Sequence, residues 1–97
     1  MKTVWLLLGK YDGEPVIPLA TVCRDYFYHL SPTKLAHKIN IGEIPLPIVR
    51  IEPLSQKTAK GVHIADLAQW IDMQREAGRK EMWQLTGAPH LDPKREP

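Results

Sequence analysis

The sequence predicts an α+β domain that is mostly helical, and three observations carry this prediction. An apolar stripe with helical spacing covers residues 19–30, a second helix start follows at Ser31-Pro32, and two short extended segments, 44–51 and 61–64, precede a last helical stretch. A chain of 97 residues with 43% hydrophobic and 25% charged residues fits one compact domain, near the small end of the sizes that bury their own core.

The first segment, residues 3–11, reads TVWLLLGKY and is apolar on almost every side. Its periodicity does not separate a buried strand from a buried helix, because either one would carry apolar groups on all faces. The β-branched and aromatic residues favour a strand, whereas Thr3 is suited to cap a short helix. We favour the helix, followed by a turn at Asp12-Gly13.

The clearest helix of the sequence follows an apolar approach at Val16-Ile17-Pro18, with Pro18 in its first turn. Apolar residues then recur at the spacing of one buried helix stripe: Leu19, Val22, Cys23, Tyr26, Phe27 and Leu30. Cys23 lies on this stripe, which favours a small core residue over a reactive thiol. A short break at Tyr28-His29-Leu30 follows.

The next segment, residues 31–40, reads SPTKLAHKIN and predicts a short helix with a well-marked start. Ser31 is a strong N-cap residue, and Pro32 at the first helical position loses no hydrogen bond. Leu35 and Ile39 recur at helical spacing and would face the core. The opposite face then carries donor-rich side chains: Thr33, Lys34, His37 and Lys38. A merely solvated helix face has much the same composition, so this segment alone does not decide its role.

A left-handed residue at Gly42 is expected to end this helix. The stretch 44–51, IPLPIVRI, then predicts an extended segment that becomes a strand, with its prolines at the start or at an edge. After a polar stretch, residues 61–64, GVHI, can run back beside it. We therefore predict a two-stranded wing that carries Arg50 and has a basic tip formed by Lys57 and Lys60.

A long last helix is predicted from Asp66 to about Gln84. Its inward stripe is formed by Ile64, Leu67, Ala68 and Ile71. A second apolar line on a neighbouring face is formed by Trp70, Met73 and Ala77. One small domain has little core left to cover both lines, so we expect a homodimer or a larger assembly. We place the folded domain at residues 1–86 and expect the polar, proline-rich residues 87–97 to form a flexible tail.

Charge and cysteine content limit the compartment and the partners. The formal net charge is +2, and the excess lies in residues 31–60, which hold five basic and two acidic residues. The single cysteine excludes an internal disulfide framework and a multi-cysteine zinc site, which fits a reducing cytoplasm. The apolar run 4–8 is far too short to span a bilayer, so we expect a cytoplasmic protein with no membrane partner.

Catalytic and metal-binding patterns are missing from the sequence. The four histidines are scattered, without paired carboxylates or metal-ligand spacing around them, and the glycines form no phosphate-binding loop. His63 and Asp66 are instead spaced for a capped helix start. We therefore expect no enzyme activity, no cofactor and no metal site.

The predicted order of helix, turn, helix, two-stranded wing and helix is that of a winged helix-turn-helix. Basic residues concentrate on its second helix and its wing, the two places where such a module contacts double-stranded DNA. We predict that seven residues contact DNA: Thr33, Lys34, His37, Lys38, Arg50, Lys57 and Lys60. The leading alternative is a protein-binding adaptor of the same fold, whose lysines only solvate a surface.

Three stretches also resemble a known family: VCRDYF at 22–27, GEIPLP at 42–47 and KGVHIADLAQWID at 60–72. Over about residues 3–86, the chain resembles the pyocin activator proteins (PrtN-like), which are small bacterial transcription activators of bacteriocin and prophage-type genes. The resemblance implies binding of promoter-region DNA, and an activator has RNA polymerase as a second partner. No catalytic or ligand-binding residue is carried over from the family.

The layout is also similar to the winged helix-turn-helix of excisionases and MerR-type regulators. In that layout a short recognition helix ends near a glycine, a wing follows, and a last helix completes the core. In this chain Asp66-Leu67 and Trp70-Ile71 lie where the pattern of that last helix would place them. A third interpretation is therefore an excisionase-like architectural protein that bends DNA for recombination.

Overall fold

The computed structural model describes residues 2–51 and 59–87. Within these residues the chain forms four helices and one three-stranded sheet: α1 (Thr3–Lys10), β1 (Val16–Pro18), α2 (Leu19–Tyr26), α3 (Pro32–Asn40), β2 (Val49–Arg50), β3 (Lys60–His63) and α4 (Ile64–Thr86). The prediction of a mostly helical α+β domain is therefore confirmed.

One hydrophobic core receives side chains from all four helices, from β1 and β3, and from the segment before β2. Its buried members are Leu7, Ile17, Leu19, Val22, Cys23, Phe27, Leu35, Leu46, Val62, Ile64, Leu67 and Ala68. The predicted stripe of α2 and the inward stripe of α4 both point into this core. Each large apolar side chain buried in this way stabilises the fold by about 1.5–3 kcal/mol before entropy is counted.

Residues Thr3–Lys10 form the helix that we favoured over a strand, and this helix packs against α4. The prediction that Thr3 caps it is wrong, because Lys2 occupies the N-cap position without a side-chain hydrogen bond. The Thr3 hydroxyl instead donates to the Asp72 carboxylate of α4. The turn at Asp12-Gly13 is confirmed, and both of its residues have positive φ angles.

The segment Val16–Pro18 leads directly into α2, as predicted, but it is a strand, and Pro18 is the N-cap residue of α2 and not part of its first turn. It pairs antiparallel with β3, with Ile17 opposite Val62 and Pro18 opposite Gly61. An added Cβ at Gly61 would lie 2.7 Å from the Ile17 carbonyl oxygen, so glycine lets the two strands approach. Three residues are too few to show strand alternation, and the partner strand lies far along the chain.

The predicted pairing of the two later strands is confirmed, but they do not form an isolated wing. The sheet order is β1-β3-β2, so β3 lies in the centre and the wing strands belong to a three-stranded sheet. β2 is limited to Val49–Arg50, after the prolines. Helix α4 starts at Ile64, earlier than predicted, because the His63 Nδ1 atom accepts a hydrogen bond from the Ala65 N–H at 3.0 Å.

The second apolar line predicted on α4, formed by Trp70, Met73 and Ala77, is not one continuous exposed surface, because Trp70 packs inside the domain. Its ring centroid lies 4.9 Å from that of Phe27 and 6.2 Å from that of Tyr26. Trp70 is therefore part of the packing around α2, while Met73 and Ala77 remain exposed. Gly87 ends α4 in a left-handed conformation, and the rest of the predicted tail, 88–97, lies outside the described residues.

Candidate nucleic-acid interface

The helix α3 is fixed to the domain at its start and at one buried side chain. The Ser31 hydroxyl accepts a hydrogen bond from the Lys34 N–H at 3.2 Å, and Pro32 occupies the first turn, as predicted. Leu35 is completely buried and Ile39 is half-buried against the core. The position of the helix and the rotation about its axis are therefore set by its inner face.

The outer face of α3 carries three of the predicted contact residues in exposed positions. Thr33, Lys34 and His37 are exposed, and Thr33 and His37 lie one helical turn apart. Asn40 is also exposed and continues this line by another turn, although it was not among the predicted contact residues. Asn40 follows His37 by three residues and Thr33 by seven, a helical spacing that could have identified it from the sequence. An asparagine amide can form a paired hydrogen bond to adenine in the major groove.

Lys38 differs from its neighbours because it already has an acidic partner. Its Nζ atom lies 2.9 Å from the Glu43 carboxylate, and the Glu43 N–H donates to the Lys38 carbonyl oxygen. Gly42 stands between them with a φ of 81°, which is the left-handed residue predicted to end the helix. Lys38 therefore helps to close α3 and offers less net positive charge than Lys34.

The connection between α2 and α3 has the length of a helix-turn-helix turn. Phe27 caps α2 and Ser31 caps α3, so three residues separate the two caps. The Cys23 thiol donates to the Leu30 carbonyl oxygen at 3.0 Å, which holds the turn against α2. Burial of Cys23 is confirmed, and Tyr28, at the tip of the turn, is 84% exposed.

A polar cluster joins α2 to the end of α1. The Tyr11 hydroxyl donates to Asp25 at 2.7 Å, the Arg24 Nε donates to the same carboxylate at 2.9 Å, and the Lys10 ammonium lies 3.8 Å away. The pKa of Asp25 is lowered, first by the hydrogen bond from Arg24 and then by the one from Tyr11. Burial, and then the hydrogen bond to Asp25, raise the pKa of Tyr11.

The sheet brings together two predicted contact residues that the sequence separates. Arg50 on β2 lies directly opposite Lys60 on β3, so both side chains leave the same face of the hairpin. Like charges in this position repel each other, and a bound anion would remove the repulsion. Lys60 belongs to the strand and not to a polar loop as predicted, and Lys57 lies outside the described residues.

Among residues 2–51 and 59–87, no three His, Cys, Asp or Glu side chains are grouped to hold a metal ion. None of the helices in the same ranges has the length and apolar content that crossing a bilayer requires.

These features define a small α+β domain in which a capped helix, α3, packs against α2 and carries an exposed face rich in hydrogen-bond donors. A family model described as Pyocin activator protein PrtN matches residues 3–78. The chain therefore belongs to the pyocin activator family, as the resemblance indicated, and this membership supports a role in transcriptional activation. Neither the curated proteins nor the solved structures gave a match to the chain.

Proposed function

We propose that the protein is a sequence-specific DNA-binding activator of bacteriocin and prophage-type genes, and that α2, α3 and the β2–β3 hairpin act as a winged helix-turn-helix. The observation that carries this proposal is the outer face of α3. Among the described residues, the side chains of Thr33, Lys34 and His37 have no hydrogen-bond or ion-pair partner and are exposed, while the buried Leu35 holds the helix against the core. A helix held in this way has the form of one that enters a major groove.

The hairpin supplies the second part of the proposed interface. Arg50 and Lys60 form a like-charged pair on one face of the hairpin, and two adjacent cations suit the phosphate oxygens of a DNA backbone. Contacts to phosphate add affinity that depends on salt, whereas contacts to base edges discriminate sequence. We therefore assign reading of bases to α3 and holding of the backbone to the hairpin.

The remaining parts of the proposal follow from an activator's role. The protein acts in the cytoplasm on promoter DNA, as a homodimer or larger assembly, with RNA polymerase as its second partner. It performs no chemistry of its own and uses no cofactor. Among the seven predicted contact residues, Lys38 is the weakest candidate because Glu43 offsets its charge.

A binding titration tests the proposal and separates it from the adaptor. Labelled fragments from the promoters of the neighbouring gene cluster and shuffled DNA of equal length are titrated with the whole chain at fixed salt. We expect at least one fragment to bind roughly 10³-fold tighter than shuffled DNA, which is the low end for specific binders. Equal affinity for all fragments would leave the adaptor as the better explanation.

Two assays on the bound fragment separate the activator from an architectural protein. A footprint locates the site, and a circular-permutation assay measures bending of the DNA. We expect a footprint upstream of a transcription start, and a reporter gene that rises only when that site is intact. Strong bending without any change in the reporter would favour the excisionase-like interpretation.

A further inference from the structure

We propose that the end of α3 reads an A·T base pair: the Asn40 amide contacts the adenine, and the Ile41 side chain contacts the methyl group of a thymine at the same pair or at its neighbour. The inference rests on the proposed DNA binding and deepens it, because it names part of the sequence that the helix recognises. It adds two residues to the seven predicted contact residues.

Asn40 and Ile41 continue the exposed face of α3 to its last turn. They follow His37 by three and four residues, which places the three side chains on one side of the helix. Ile41 is the C-cap residue, and it keeps the helical turn because its N–H donates to the His37 carbonyl oxygen at 3.0 Å. The exposed face of the helix therefore extends from Thr33 to Ile41.

Neither side chain is used by the packing of the described residues. Asn40 is exposed, and among residues 2–51 and 59–87 its amide has no hydrogen-bond partner. Ile41 is 54% exposed, whereas Ile39, two residues earlier, supplies the contact with the core. An unpaired amide and an exposed branched apolar side chain therefore lie next to each other at the end of α3.

The charges along α3 favour contacts with base edges at this end of the helix. The C-terminal end of a helix carries partial negative charge, which repels phosphate groups. Lys38 in the last turn does not compensate for this, because its ammonium is paired with the Glu43 carboxylate at 2.9 Å. The unpaired positive charge of Lys34 therefore lies at the beginning of α3, and neutral groups lie at its end.

Neutral groups of these two kinds match one base pair in the major groove. An asparagine amide forms a pair of hydrogen bonds with N6 and N7 of adenine, and an apolar side chain contacts the thymine methyl group. A G·C pair has no methyl group, and its guanine presents two acceptors, which do not match the one donor and one acceptor of an asparagine amide. The end of α3 is therefore complementary to an A·T pair.

The spacing along the helix predicts where this pair lies in the operator. Asn40 follows Lys34 by six residues, which is about 9 Å along the helix axis. Because successive base pairs are about 3.4 Å apart, the two side chains of a helix that lies along the groove reach pairs about two to three positions apart. Lysine pairs with guanine, so we expect a G·C pair at one end of this interval and the A·T pair at the other.

Base analogues in the footprinted fragment test the proposal atom by atom. In 7-deazaadenine the N7 acceptor of a single adenine is lost, and in uracil the methyl group of a single thymine is lost, while base pairing and charge are kept. We expect one 7-deazaadenine to weaken the wild type by about fivefold or more and to leave Asn40→Ala almost unaffected. We expect one uracil to weaken the wild type roughly three- to fourfold, the effect of one buried methyl group, and to leave Ile41→Ala almost unaffected.

Matched variants on α4 separate these contacts from general effects. Gln84→Ala removes an exposed amide, and Leu85→Ala removes an exposed apolar side chain. Both variants should respond to each analogue as the wild type does. Urea unfolding of Asn40→Ala and Ile41→Ala should give midpoints close to that of the wild type, because both side chains are exposed.

The same measurements distinguish a failure of this inference from a failure of the proposed function. If the protein prefers a promoter fragment but every analogue affects the variants as much as it affects the wild type, the end of α3 does not read an A·T pair, and the proposed DNA binding stands. If no promoter fragment is preferred over shuffled DNA, the proposed function fails, and this inference fails with it.

Discussion

The neighbouring helices α2 and α3 have similar lengths, eight and nine residues, but they use their side chains differently. α2 buries Leu19, Val22 and Cys23 and holds Asp25 in a polar cluster with Tyr11. α3 buries only Leu35 and turns its polar residues outward. The buried and paired residues of α2 are therefore explained by the fold, whereas packing does not explain the exposed residues of α3, which we propose contact DNA.

Removing the one buried anchor of α3 should have the largest effect. We expect Leu35→Ala to lower the free energy of unfolding by about 2–5 kcal/mol, because it removes a completely buried side chain and leaves a cavity. Urea denaturation measures this loss. Thr33→Ala, two residues earlier on the exposed face, is the control and should stay within about 0.5 kcal/mol of the wild type. Similar values for both variants would mean that α3 is not held by its inner face.

Substitutions on the outer face of α3 should weaken DNA binding but leave the stability of the fold almost unchanged. We expect Lys34→Ala or His37→Ala to weaken the specific site by about 1–3 kcal/mol, with a much smaller loss on shuffled DNA. Arg24→Ala removes an exposed positive charge from α2 and is the matched control. If Arg24→Ala costs as much as Lys34→Ala on the specific site, the distinction between the two helices fails.

The β2–β3 hairpin should add affinity for DNA of any sequence without distinguishing one sequence from another. We expect Lys60→Ala to weaken specific and shuffled DNA alike and to lower the slope of log affinity against log salt by about one unit. Isotherms at four or more salt concentrations give this slope. Lys80→Ala on α4 is the comparison, with an unchanged slope. If Lys60→Ala weakens binding to the specific site alone, Lys60 contributes to recognition of the sequence.

The smallest expected effect is a pH dependence of the free energy of unfolding that arises from Asp25 on α2. The pKa of Asp25 is lowered in the folded protein, so its ionised form stabilises the fold above the unfolded value, which is about 4. This contribution should be lost as the pH falls below about 4 and through the lowered folded pKa. Urea unfolding between pH 6 and pH 2.5 should show a smaller decline for Asp25→Asn than for the wild type.

Arg24→Ala is the intermediate case in this pH series. It removes the hydrogen bond that contributes most to the lowered pKa of Asp25 while Tyr11 still donates. Its decline should therefore lie between those of the wild type and Asp25→Asn. Identical profiles for all three proteins would show that Asp25 adds no stability. DNA binding at neutral pH should be unaffected by Asp25→Asn if α2 serves the fold alone.

The sequence could predict α3 because local rules define it. Ser31, Pro32 and Gly42 mark its ends through hydrogen-bond and backbone preferences that need no distant partner. The strand Val16–Pro18 could not be predicted in this way, because only its pairing with β3 makes it a strand. The helix α1 could be predicted only as a preference over a strand, because its sequence is apolar on almost every side and shows no single buried face.

The candidate contact residues divide in the same manner. The exposed positions of Thr33, Lys34 and His37 follow from helical period, and Asn40 could have been added by the same rule. The ion pair of Lys38 with Glu43 depends on how the chain leaves α3, which the period of the helix does not describe.

The pairing of Arg50 opposite Lys60 depends on strand register, which the sequence leaves open because residues 51–59 separate the two strands. The interruption of the second apolar line of α4 depends likewise on tertiary packing. Trp70 could not be assigned to the α2 side of the domain before its contact with Phe27 was known.

A loss-of-contact experiment tests most directly whether α3 reads DNA. Each base pair of the footprint is changed in turn, and binding of the wild type, Lys34→Ala and His37→Ala to each changed site is measured. We predict a base pair whose change weakens the wild type by about 1–3 kcal/mol, roughly 5- to 150-fold, but leaves one of the α3 variants almost unaffected. If every base change weakens both variants as much as it weakens the wild type, α3 does not read the sequence.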